Sequence, residues 1–171
     1  MDALGLIKTR RAIRRFKKEP VSDKQIEAIL EAGRWSPSGI NNQPWRFMVL
    51  DGVRKNFLAE YTVYSSIVRG SDKVILVFLD RGESYHYEKD LMAIGACVQS
   101  MLLYIHSCGL GACWLGEILN KRAEIEKLLA IPKGLEMEAL IALGKPAIIP
   151  KAGKRMLLKD LLVRPKTKVK G

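Results

Sequence analysis

At 171 residues, 48% hydrophobic and 27% charged, the chain is long enough to bury one real core and has the composition of an ordinary globular protein. Its net charge of +11 raises nucleic acid or an anionic membrane as partners, but the basic residues are spread among 18 acids, with no RNA-binding aromatic motif, zinc finger or recognition-helix pattern. The opening MDALGLIKTRR lacks an apolar run of signal-peptide length, and the most apolar region, 91 to 105, is too short to span a bilayer, so a cytoplasmic protein with no nucleic-acid and no membrane partner is expected.

Residues 2 to 9 read as a short helix leading into Arg10-Arg11-Ala12-Ile13-Arg14-Arg15-Phe16. Four arginines within six residues suit a docked anion, because the guanidinium presents a rigid fork to phosphate. The same run also suits a solvated basic patch, and the residues alone leave both open. Ser22 and Gln25 form a capping box, and Val21 can staple onto Ile26. The helix that follows places Ile26, Ile29 and Leu30 on one face, with Gly33 expected to close it.

Residues 34 to 44 cannot form a regular helix or strand and read as a loop that continues into Trp45, Arg46 and Phe47. Pro37 and Pro44 push Ser36 and Gln43 out of the helical region, and Gly39 permits close backbone approach. Five polar side chains, Ser36, Ser38, Asn41, Asn42 and Gln43, lie between Trp35 and Trp45. They fit either a polar connecting loop or a ligand-binding one.

Further elements follow in order. Residues 45 to 50 read as a strand, and 52 to 69 as a helix with Phe57, Leu58, Tyr61 and Tyr64 on one side. The β-branched run 74 to 79 has the pattern of a central strand covered on both faces. The longest helix is expected over 87 to 107, closed by Gly109. Its apolar stripe and small residues suit a core helix or one packed on a second subunit. A strand at 112 to 115, a helix at 121 to 130 stopped by Pro132 and a buried strand at 135 to 143 complete the pattern. Residues 147 to 171 carry little regular pattern apart from Leu157 to Leu162. They are long for a loose tail, which suggests a strap, with Arg164 to Lys170 as a solvated end. No linker or repeat divides the chain, so one domain over 1–171, with a tail from about 160, is expected, of mixed α/β architecture.

Cys97, Cys108 and Cys113 are odd in number and lack CxxC spacing, and His86 and His106 are far apart. This disfavours a disulfide framework or a metal site. His106, on a helix, reads as a packing or surface residue. Glycine fingerprints of Rossmann or P-loop phosphate sites are absent, as is a Ser-His-Asp or Cys-His set.

In their order and spacing, TRRAIRRF at 9–16 and SPSGINNQPWRF at 36–47 resemble the nitroreductase family of FMN-dependent oxidoreductases. Further matches fall at Gly109-Leu110-Gly111-Ala112-Cys113-Trp114-Leu115-Gly116 and at Gly144-Lys145-Pro146, so the resemblance covers nearly the whole chain. It implies an α/β fold with a mixed central sheet flanked by helices, in an intertwined homodimer. It implies that Arg10, Arg11, Ala12 and Arg14 hold the phosphate and ribityl end of FMN, with Arg155 and Lys154 closing on the same phosphate. It further implies that Pro37, Ser38, Gly39 and Asn41 reach the flavin from the partner subunit. Trp114, Leu115, Gly116 and Glu117 would run beside the ring and offer it backbone N–H groups.

The implied activity is reduction of a small-molecule acceptor, a quinone or nitroaromatic, by NADH or NADPH in a ping-pong cycle. The flavin carries the chemistry, and no catalytic side chain is required. Two departures stand out: Ala12 replaces a hydroxyl residue common in the family, and the region between Leu50 and Val74 is compressed. The alternative is a flavin protein of specialised redox chemistry, such as dehalogenation or flavin modification. A basic nucleic-acid-binding protein is the third reading, recognisable by steep salt dependence and no chromophore.

Overall fold

The computed structural model describes residues 2–163. The basic run Arg164 to Lys170, expected to be a solvated end, lies outside them. Among the described residues no helix is long and apolar enough to cross a membrane.

Helix α1 (Ala3–Thr9) is capped by Asp2, whose Oδ1 accepts from the Gly5 N–H at 2.6 Å. Helix α2 (Asp23–Arg34) starts at the expected capping box. Ser22 Oγ accepts from Gln25 N, and Gln25 Oε1 accepts from Ser22 N at 3.0 Å. Val21 and Ile26 are both buried beneath it. Gly33, however, does not end this helix, which runs on to Arg34. A Cβ at Gly33 would lie 2.9 Å from Met101 Sδ and 3.1 Å from Cys97 Sγ. The glycine is there for a close helix crossing rather than for a left-handed stop.

Strand β1 (Trp45–Asp51) is followed by α3 (Gly52–Leu58), a 3-10 turn (Ala59–Tyr61) and α4 (Ser65–Gly70). The single helix expected over 52 to 69 is therefore broken. Thr62 is extended (φ −143°, ψ 144°), and the Glu117 carboxylate takes its hydroxyl and the Val63 N–H. Leu58, Ala59, Ile67 and Val68 are buried and Tyr61 packs partly buried against them, while Phe57 and Tyr64 are exposed.

Strand β2 (Lys73–Asp80), helix α5 (Tyr87–Ser107) and strand β3 (Gly111–Leu115) match expectation closely, and Gly109 takes a positive φ of 70° just past α5. The helix expected over 121 to 130 is a 3-10 turn (Glu117–Lys121) running into α6 (Arg122–Leu128). It stops before Pro132 because Ala130 has turned to φ 50°. Strand β4 (Leu135–Gly144) closes the sheet, and a 3-10 turn (Leu158–Leu161) follows.

The sheet order is β1-β2-β4-β3, and its strand pairs are all antiparallel. The one parallel pairing among the described residues is the bridge Ala12↔Ala112, which lays the arginine segment against β3. Both faces of β2 are covered, as its unbroken apolar run implies. Ile75, Val77 and Leu79 join a core with α2 and α5, and Val74, Leu76 and Phe78 join a second core with α3, α4 and α6. Two-sided burial, not parallel pairing, is what that run recorded.

The chain then returns to its start. Phe16 bridges Pro146, Lys17 N donates to Lys145 O and Ala147 N donates to Arg15 O, both at 2.9 Å. The expected strap thus begins against residues 15 to 17. Beyond it Met156, Leu157, Leu158, Leu161, Leu162 and Val163 are all exposed.

Candidate functional site

The arginine segment is extended and held at its middle. Ile13 N donates to Ala112 O at 2.9 Å, and the Ile13 side chain is 5% exposed against Gly111, where a Cβ would meet it at 2.7 Å. Extended backbone alternates its side chains, so burying Ile13 turns Ala12 and Arg14 the other way. Ala12, Arg14 and Arg15 border an open cavity of about 240 Å³ whose far wall is Ile148 and Pro150. Arg10 and Arg11 border a narrow crevice with Leu102, Ile105 and His106 at the C-terminal end of α5.

Among the described residues, none of these four arginines has a carboxylate partner. Arg11 is engaged otherwise, its Nη1 donating to the carbonyls of Lys8 (2.6 Å) and Arg10 (2.8 Å). The positive field is felt nearby. His106 is held below its ordinary pKa by burial and then by Arg10 and Arg11. Burial pushes the Cys113 thiol up, with Arg14 and Arg10 pulling the other way. Unpaired guanidiniums beside a cavity walled by Ala12, Ile148 and Pro150 are a donor set that fits a phosphate on an otherwise partly apolar ligand, as FMN is.

Lys154 and Arg155 are both exposed, and Arg155 Nη1 donates to the Lys154 carbonyl at 3.0 Å. The C-terminal residues that line the cavity are Ile148 and Pro150, not this pair.

At the end of β3, Trp114 is 44% exposed between buried Cys113 and Leu115, and Gly116 is exposed. Glu117 is half-buried. Its Oε2 accepts from Thr62 Oγ1 at 2.6 Å and Val63 N at 3.2 Å, tying the 62–64 turn to the end of β3. The bridge at Ala12 thus brings residues 10 to 14 together with the segment that leads to Trp114.

The loop carrying Pro37, Ser38, Gly39 and Asn41 lies elsewhere. Ser36 Oγ bonds Ser100 Oγ at 2.8 Å, so the loop leaves α2 beside the middle of α5. It ends where Asn42 Nδ2 donates to Glu83 O (2.8 Å) and Asp90 Oδ1 (2.9 Å), in the first turns of α5. Asp90 and His106 are separated by about 24 Å along the helix, at roughly 1.5 Å per residue. The Asn41 end of the loop and the Arg10–Arg11 crevice therefore sit at opposite ends of α5 in one chain. Pro37 and Asn41 are exposed, and Ile40, 81% exposed, has φ 49°, with Asn41 at 57° and Gln43 at 49°. A β-branched residue in the left-handed region is strained, and such strain concentrates at ligand clamps.

Asp90 was not among the residues expected from sequence. It is fully buried and accepts from Ser84 Oγ, Tyr85 N, His86 N and Asn42 Nδ2. Burial opposes its charge, yet the bonds from Ser84, Asn42, His86 and Tyr85 outweigh it and hold the carboxyl below its usual range. The available signal was an acid one position ahead of the apolar stripe of α5, with Ser84 close before it.

The nitroreductase family profile matches residues 7–63 and 53–145. A Desulfovibrio desulfuricans protein, named as a nitroreductase and solved in complex with FMN, is 48% identical with a TM-score of 0.91, across 96% of this chain and 97% of that one. A Methanothermobacter thermautotrophicus protein named as an NADH dehydrogenase/NAD(P)H nitroreductase is 33% identical over 88% of this chain and 80% of its own length. An iodotyrosine deiodinase of Thermotoga neapolitana is 27% identical over 82% of this chain and 87% of its own. With both matched segments spanning the arginine stretch, the loop and all four strands, the chain belongs to the nitroreductase family.

Proposed function

We propose that this protein is a cytoplasmic, FMN-dependent oxidoreductase that spends NADH or NADPH to reduce a small-molecule acceptor, a quinone or nitroaromatic, in a ping-pong cycle. The observation that carries this reading is Arg14 and Arg15, without carboxylate partners among the described residues, beside the cavity of Ala12, Ile148 and Pro150, with Arg10 and Arg11 at the neighbouring crevice. The FMN complex of the Desulfovibrio desulfuricans relative, 48% identical, supports it.

Bound FMN would supply the redox chemistry, the passage of electrons from nicotinamide to acceptor. The chain's own residues bind and orient. Arg14 would face the phosphate from the cavity and Arg10 would reach it from the neighbouring crevice, with Arg11 held by the Lys8 and Arg10 carbonyls beside them and Ala12 offering a small wall. Trp114, Leu115, Gly116 and Glu117 border the ring, and Glu117 fixes the neighbouring 62–64 turn through Thr62. Lys154 and Arg155 would reach the phosphate, Arg155 by swinging its guanidinium away from the Lys154 carbonyl.

The working unit in this proposal is a homodimer. A cavity of about 240 Å³ is smaller than the usual ligand site of roughly 300–1,000 Å³. The loop holding Pro37, Ser38, Gly39 and Asn41 cannot fold onto its own chain's arginines across α5, so a second copy supplies it. Exposed Trp35, Ile40, Ile149 and the apolar residues from Met156 to Val163 provide surface for that copy to cover.

Two measurements test the function. Flavin released by denaturing the purified protein should chromatograph as FMN, and FAD alone, or no flavin after reconstitution, would refute the site. Varying nicotinamide and acceptor together should give parallel reciprocal plots, because one face serves both in turn. Intersecting plots with a demonstrable ternary complex would refute the shared face. The iodotyrosine deiodinase relative favours reductive dehalogenation as a second reading. Turnover of halophenols with negligible quinone turnover would select it.

A further inference from the structure

We infer that Asp90 and Asn42 form a buried latch that positions the flavin-facing loop, so that Asp90 acts on the cofactor site without touching it. This rests on the FMN reading above, in which residues 37 to 41 serve the partner's flavin.

The loop cannot hold its shape unaided. Ile40, Asn41 and Gln43 all have positive φ, and none is glycine. Such a conformation persists where surrounding contacts over-determine it. Three sets of contacts do so here. Ser38 Oγ accepts from Gln43 N at 3.0 Å, closing the loop on itself. Gly39 lies against the Tyr85 ring, where a Cβ would collide with the hydroxyl. Asn42 Nδ2 donates to Asp90 Oδ1 and to the Glu83 carbonyl.

Asp90 connects these contacts. Its Oδ2 accepts from Ser84 Oγ (2.7 Å) and from the Tyr85 and His86 N–H groups (both 3.1 Å), so it fixes the segment that carries Tyr85. Its Oδ1 holds Asn42. One carboxylate therefore sets both walls of the loop, the Tyr85 wedge and the Asn42 tether. Both acceptors claim the same Asn42 nitrogen, so the amide cannot turn over, although its Oδ1 is buried without a donor among the described residues.

A purely structural role for Asp90 would be capping α5 through His86 N and Tyr85 N. Asn42 takes no part in that cap, and this separates the two roles. Wild type, N42A, D90N and the exchange variant N42D/D90N are compared by FMN titration, visible circular dichroism of bound flavin, and amide hydrogen exchange at residues 38 to 43. The expected result for N42A is faster loop exchange, an altered flavin dichroism band and FMN binding weakened about tenfold. The exchange variant again sets a carboxylate against an amide and should recover part of the affinity lost in D90N. N42A with wild-type loop exchange and affinity would reduce Asp90 to a helix cap. Faster exchange with unchanged FMN affinity would show a tether that does not serve the flavin, and also overturns the inference. Wild-type protein that takes up no FMN would instead overturn the functional reading, whatever the loop exchange shows.

Discussion

Replacing Arg14 with alanine isolates the part of the proposed site assigned to phosphate. Arg14 is exposed, borders the cavity beside Ala12 and has no carboxylate partner among the described residues, so the change breaks no ion pair within the chain. What is lost is a charge-assisted contact to the ligand, worth about 1.5–3 kcal/mol. That is roughly 10- to 150-fold in affinity, and solvent around Arg14 places the expectation toward the lower end. The assay is fluorescence titration of apo-protein with FMN and, separately, with riboflavin, which lacks the phosphate. Wild type should prefer FMN, and Arg14→Ala should lose most of that preference while binding riboflavin nearly as before. Lys133→Ala, an exposed cation beyond Pro132, is the control for bulk charge. Equal losses for FMN and riboflavin, or equal losses in Arg14→Ala and Lys133→Ala, would refute the assignment of these arginines to a phosphate.

Gly33→Ala should destabilise the protein in urea unfolding. A new methyl meets buried Met101 at 2.9 Å, and overpacking costs about 1–3 kcal/mol against roughly 1 kcal/mol gained in helix propensity. An unchanged or higher midpoint would mean that the α2–α5 crossing yields freely. Asp90 predicts a pH effect. Its carboxyl lies below the ordinary value, with burial opposed and outweighed by the bonds from Ser84, Asn42, His86 and Tyr85. A carboxyl depressed on folding adds stability above its unfolded pKa of about 3.9 and loses it as pH falls through the folded value. Asp90→Asn should therefore melt lower than wild type near neutrality, with the gap closing below about pH 4. A gap that stays constant through that range would refute the linkage.

The parts of the fold that could be read in the sequence are those whose signal is local. The Ser22–Gln25 box marks a helix start within four residues, and the stripe of α5 ending at Gly109 gives both of its ends. The run at 74 to 79 reports burial on both faces because each side chain must avoid water. The breaks at Thr62 and in the 117–122 region depend on distant partners. Thr62 is held by Glu117, 55 positions away, and no local propensity encodes that contact. Gly33 carried two meanings, helix stop or close crossing, and only Met101 and Cys97 decide between them. At the site, the arginines were legible by density and the loop by its prolines. Asp90 was not, because a single acid near a helix start is an ordinary surface residue until its four donors are seen.

The proposed FMN site is built by two copies, with the arginines of one and the 37–41 loop of the other. Analytical ultracentrifugation over a dilution series, with and without FMN, tests it most directly. A ligand that binds only the assembled state adds stability by mass action, about 2.7 kcal/mol at one hundred times its dissociation constant. FMN-free protein should dissociate at a higher concentration than FMN-saturated protein. A monomer that binds FMN with full affinity would contradict it.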